Sequence, residues 1–164
     1  MDETSAGKKK VWGALVGGFV TLAGLGASAV AIEQYYVQNP GTNVNGTWTV
    51  QTVTETTSLS RYQGMKLKYE VQFVQNGNIF SGTGEKIEEQ DPGNAPHTLE
   101  GKGRTPIELS GTVTRSAIDA EFKEKGIERE SSGWFHWNLK NGSGEGTFSS
   151  TAANSKGSTS LSRQ

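Results

Sequence analysis

The chain has 164 residues, 16 basic against 17 acidic side chains, a formal net charge of −1 and no cysteine. The missing thiol excludes disulfides, thiolate nucleophiles and cysteine-ligated zinc, and the balanced charge offers no basic face to nucleic acid. Its 22 glycines, with abundant Ser and Thr and no long apolar helix after Ile32, suit short strands and tight turns rather than a helical bundle.

The first element is a run of 22 uncharged residues, 11–32, preceded by Lys8, Lys9 and Lys10. About 20 apolar residues cross a bilayer core. No further basic residue occurs until Arg61, so the positive flank predicts a cytoplasmic tail (1–10), a transmembrane segment (11–32) and export of the C-terminal part of the chain. The span reads either as a retained signal anchor or as a cleaved signal peptide. Ala27-Ser28-Ala29 and Ala29-Val30-Ala31 are the candidate cleavage motifs. Gly13 and Gly17 form a GxxxG pair, and Gly24 with Ser28 repeats the small-xxx-small spacing, which predicts a face for helix-mediated association. The expected location is a bacterial inner membrane with the N-terminus cytoplasmic and the remainder periplasmic, or secreted if the leader is cleaved. The absence of disulfides agrees with that setting.

Residues 33–45 read as a linker, with Asn39-Pro40-Gly41 stopping any helix that continues from the span. From Gly46 the period becomes two. Leu67, Tyr69, Val71 and Phe73 alternate with polar residues and share one buried face. Asn76-Gly77 predicts a hairpin into a strand from Ile79 to Ile87, followed by a loop over 89–104. Ile107, Leu109 and Val113 share a face, as do Ile118, Ala120 and Phe122. A long strand is expected from Ile127 to Leu139 with a bulge at Gly133. Asn141-Gly142 turns into a strand over 144–150, and the last strand spans 158–163. Eight strands with short connections and one apolar face predict an all-β, eight-stranded antiparallel up-and-down barrel over 46–164. A two-sheet sandwich is the alternative.

The Gly46-Thr47-Trp48 triplet at the first strand, together with Arg163 near the chain's end, resembles the lipocalin/calycin group. In that group a G-x-W tryptophan closes the barrel base against a C-terminal arginine. The resemblance implies a Trp48–Arg163 contact and binding of a small apolar molecule. The layout is also similar to the membrane-anchored barrels of CBASS-type anti-phage effectors, in which a lipocalin-like barrel senses a cyclic nucleotide. That family keeps its barrel in the cytosol, whereas Lys8–Lys10 predict the opposite orientation.

Three wall residues stand out as ligand contacts. Tyr69 brings a polar tip to a core face. Arg129 shares parity with Phe135 and Trp137, and a guanidinium inside a barrel needs a carboxylate or an anionic ligand. Trp137 adds an aromatic surface, while Trp134 and His136 are expected to face outward. Glu128 and Glu130 read as an outer charged face rather than a glycosidase pair, and His97 and His136 lack metal-site spacing. No catalytic constellation and no cofactor are implied. The sequence therefore predicts a non-enzymatic, membrane-anchored barrel that binds a small, partly apolar ligand on the exported side. The alternative is a structural or interaction subunit of an envelope or membrane complex, and a CBASS-type sensor ranks third. A lumen of roughly 300 Å³ or more favours binding. A lumen filled by Leu67, Phe73, Ile107, Leu109, Phe122, Phe135 and Phe148 removes it.

Overall fold

The computed structural model describes residues 41–126 and 129–164. The run 11–32, with Gly13, Gly17 and Gly24, lies outside the described residues. Among the described residues no helix is long and apolar enough to cross a membrane.

Nine strands follow one another: β1 (Gly46–Thr56), β2 (Lys66–Asn76), β3 (Ile79–Gln90), β4 (His97–Thr98), β5 (Thr105–Val113), β6 (Ala117–Lys125), β7 (Glu130–Lys140), β8 (Ser143–Ser150) and β9 (Ser155–Arg163). Eight of them form a closed antiparallel barrel, and each pairs with its neighbour in the chain. The circle closes where β1 meets β9, with Trp48 opposite Arg163 and Val50 opposite Leu161. The two-residue β4 pairs only with the end of β3 and lies outside the circle. Closure leaves the barrel strands without free edges, which a Thr- and Val-rich open sheet would expose.

The period-two alternation survives almost intact. On β2, Tyr69, Val71 and Phe73 are buried between exposed Glu70, Gln72 and Val74. On β6, Ile118, Ala120 and Phe122 alternate with Asp119, Glu121 and Lys123 in the same way. Two irregularities break the ladders. Ile87 is an extra residue between the Lys68–Glu88 and Tyr69–Lys86 pairs. Glu55 is another, between the Thr54–Gly157 and Thr56–Lys156 pairs. At Ile87 the bulge resets the inward face, so that both Lys86 and Glu89 reach the lumen.

Several local expectations are corrected. Gly133 is not a bulge: the β6–β7 and β7–β8 ladders run through it in register, opposite Phe122 and Ser150. A Cβ there would come within 2.8 Å of the Phe122 ring, so the glycine makes room for that ring. β7 begins at Glu130, and the longest strand is the 12-residue β3. β9 begins at Ser155, three residues earlier than the pattern suggested. The β2–β3 turn is centred on Gly77-Asn78, one residue later than expected. Only its first central residue has positive φ, as in a type II′ turn. Asn141 (φ 52°) and Gly142 (φ 78°) are both left-handed, as a type I′ turn requires.

The core occupies one end of the barrel. Trp48, Phe73, Phe80, Val113, Ile118, Trp137 and Leu161 are almost wholly buried there. Residues 41–45, the last part of the stretch read as a linker, fold over this end. Val44 is fully buried, and its N–H donates to Gln75 Oε1 at 2.7 Å. The Gly41 N–H donates to Asn78 Oδ1 at 2.9 Å, and the Thr42 N–H to the Thr114 carbonyl at 3.1 Å. Trp48 Nε1 donates to the Val44 carbonyl at 2.8 Å. The Arg163 guanidinium lies 4.8 Å over the Trp48 ring and donates to the Asn43 carbonyl at 2.7 Å. A buried indole N–H needs a partner, and this segment supplies it while sealing the floor.

Candidate functional site

Among the described residues the opposite end of the barrel is open. It is framed by the β1–β2 connection with its single 3-10 turn (Ser60–Tyr62), the β3–β5 connection, and the starts of β7 and β9. From this mouth a cavity of about 620 Å³ runs down the lumen. That volume falls in the usual range for small-molecule sites.

Aromatic packing decides where the cavity stops. Trp137 stacks on Phe135 with ring centroids 4.7 Å apart and planes 17° apart. Phe122 lies 4.7 Å from Phe135, and Phe148 packs at 6.3 Å. Below Phe135 the lumen is filled. Above it Phe122, Phe135, Phe148 and Leu67 line space instead of filling it. The lumen is therefore neither an empty tube nor a solid core; Phe73 and Leu109 pack one half and leave the other.

The cavity wall carries a buried polar network. Tyr69 on β2 and Lys86 on β3 are directly opposed in the ladder. Both reach Glu124 on β6: the Tyr69 hydroxyl donates to Oε2 at 2.8 Å, and Lys86 Nζ donates to Oε1 at 3.0 Å. Lys86 Nζ also pairs with Glu89 Oε1 at 2.6 Å. Burial, followed by the charge and hydrogen bond of Glu124, holds the Tyr69 phenol well above its ordinary pKa. For Lys86, burial works against the ammonium, but Glu124 and Glu89 together outweigh it and its pKa is raised. The network keeps Tyr69 neutral and Lys86 charged across the physiological range.

The residues singled out from the sequence fall in different places. Tyr69 lines the cavity, anchored by Glu124. Arg129 precedes β7, is exposed, and lines the mouth. Trp137 is not among the lining residues; it is fully buried beneath Phe135, and its Nε1 donates to Thr159 Oγ1 at 3.2 Å. Trp48 and Arg163 meet at the closed end. Trp134 is 48% exposed, and His136 Nδ1 lies 2.6 Å from Asp119 Oδ1 on the same outer face.

Sequence reasoning missed Lys86, Glu89, Glu124 and Thr52. Glu124 was legible, because it continues the inward series Ile118, Ala120, Phe122. Lys86 similarly continues Phe80, Gly82, Gly84. Glu89 was hidden by the bulge at Ile87, which carries no compositional mark. Thr52 looks like any strand threonine; its distinction is a hydroxyl that is buried without a hydrogen-bond partner among the described residues.

No protein-family model matches this chain, and no curated protein is similar to it.

Proposed function

We propose that this chain is a non-enzymatic binding barrel that takes a small, partly apolar ligand into the open half of its lumen. The observation that carries this reading is the cavity of about 620 Å³, with an aromatic floor and the Tyr69–Glu124–Lys86 network in its wall. A domain selected only for stability gains from filling such a volume, because unfilled apolar space forfeits packing. In this reading the span over 11–32 is a retained signal anchor, the N-terminus is cytoplasmic, and the barrel works on the exported side of a bacterial inner membrane. Lys8–Lys10 and the uncharged run support that topology.

Native mass spectrometry of the detergent-extracted full chain, incubated with a small-molecule extract of the host, tests both parts. The expected spectrum shows retained mass that a lumen-blocking Ser131→Trp variant loses, on a chain that keeps its first 31 residues. A chain that retains nothing from any extract fraction refutes binding. A chain shortened near Ala29 or Ala31 refutes the anchor.

One feature favours a second reading, an interaction subunit of an envelope complex. Trp134 stands exposed on the outer face of β7 beside the Asp119–His136 pair, and an exposed indole of this kind suits a protein contact. Loss of a co-purifying partner in Trp134→Ser, with lumen binding unchanged, would establish it.

A further inference from the structure

Charges of both signs line the mouth half of the lumen, and their contacts sort them. Both oxygens of Glu124 are engaged, one by Lys86 and the other by Tyr69, and Lys86 continues to Glu89. Arg61 and Arg129 lie further out; both are exposed and both line the cavity. Among the described residues neither forms an ion pair. Arg61 Nη2 instead donates to the Tyr62 hydroxyl at 2.9 Å, with its guanidinium 4.7 Å over the Tyr62 ring. Glu124 is thus committed through both oxygens and Glu89 through one, whereas the two guanidiniums still offer forked donors that suit an anion.

The floor of the cavity is aromatic, and Leu59, Met65 and Leu67 add aliphatic surface to its wall. Phe122, Phe135 and Phe148 face the space and continue the stack that begins on Trp137. Such a floor prefers flat rings in offset or edge-on contact.

We infer that the occupant is an anionic molecule built on a ring system: its rings rest against Phe122, Phe135 and Phe148, and its negative group sits at the mouth that Arg61 and Arg129 make positive. This rests on the binding reading above and narrows it. A saturated, uncharged hydrocarbon chain would gain little from a stacked floor and nothing from the guanidiniums. A cation would pass two guanidiniums to reach Glu124, both of whose oxygens are taken, and Glu89, which already shares Lys86. Carboxylate, sulfonate and phosphate are equivalent at the mouth, because each presents oxygens to a guanidinium fork.

The test compares three water-soluble probes by isothermal titration calorimetry on the full chain in non-ionic detergent, with empty micelles as the blank. They are naphthalene sulfonate, naphthalene methanol and naphthylmethylammonium, which share a ring and differ in charge. The sulfonate is expected to bind roughly tenfold or more tightly than the other two. Replacing both Arg61 and Arg129 by Gln should remove that preference and change the affinity for the alcohol less than about twofold, since both side chains are exposed and outside the core. Added salt should act in the same direction as the double variant. Equal or tighter binding of the alcohol or the ammonium, or an unchanged preference in the double Gln variant, overturns the inference while leaving the binding reading in place. If none of the three probes binds the wild type, the inference falls, while the binding reading stands or falls on the extract experiment above. The inference falls likewise if Ser131→Trp, checked for folding by circular dichroism, binds all three as the wild type does, because the probes then sit outside the lumen.

Discussion

Glu124 is the most informative side chain to change. It accepts from Tyr69 and Lys86 at once, one oxygen to each. In Glu124→Gln one oxygen remains, so one of the two donors loses its acceptor and meets an amide N–H instead. Removing one member of a buried ion pair typically costs about 3–5 kcal/mol. Here the loss is smaller, because Lys86 keeps Glu89 at 2.6 Å and the wall faces an open cavity. About 2 kcal/mol is expected, or roughly 6–10 °C in Tm for a domain of this size. Urea unfolding of the full chain in detergent, followed by tryptophan fluorescence, measures it. A cycle with Lys86→Met should return a coupling of about 1–3 kcal/mol, because the double variant no longer buries an unmatched charge. A Glu124→Gln cost under about 0.5 kcal/mol, with additive single variants, would refute the reasoning: the network would then be solvated and carry no energy.

Alkaline pH should act on the same wall. Tyr69 and Lys86 both have pKa values raised by folding, so the folded state holds protons that the unfolded chain releases first. Their contribution is complete below about pH 10 and lost as pH climbs through the raised values, so stability should fall only above that point. Tyr69 should resist ionisation until the barrel unfolds, read as the difference between absorbance titrations of the wild type and Tyr69→Phe; a difference that develops near pH 10 with the barrel still folded would contradict this. Thr52→Val should be neutral or stabilising by about 1 kcal/mol in the ligand-free protein, since it removes a buried hydroxyl without a partner; a loss above about 1 kcal/mol would show that the hydroxyl is satisfied. Gly133→Ala should cost about 1–3 kcal/mol in thermal melts, because the new methyl meets the Phe122 ring and the Ser149 carbonyl; an unchanged Tm would mean that β7 yields at that point.

The barrel was legible because its strands keep their alternation for eight or more residues and its turns use left-handed residues where two-residue loops need them. Asn141-Gly142 is the clearest case. The lumen was less legible, for two physical reasons. Inward parity says that a side chain faces the lumen, not whether another fills the space above it; Trp137 and Tyr69 both point inward, yet one is core and the other cavity wall. A single extra residue also inverts parity, and the one at Ile87 brought Glu89 inward against the pattern. The charged inward positions at Lys86 and Glu124 were open to view, since a charge on an otherwise apolar face needs a partner. What the sequence lacked was the pairing across β2, β3 and β6 that lets them satisfy each other.

The seam between β1 and β9 has a consequence for how the molecule is made. Every other barrel pairing joins neighbours in the chain, so those ladders can zip locally. The seam must join segments such as Gln51 and Thr159, 108 residues apart, whose contact is the hydrogen bond from the Thr159 hydroxyl to the Gln51 carbonyl. Loop closure of that length makes it the slow step in folding. Until β9 has docked, the nascent sheet has two raw edges and Trp137 has no acceptor for its indole N–H. Nonsense or frameshift lesions that remove only the last dozen residues should therefore yield an aggregating chain rather than a slightly weakened barrel.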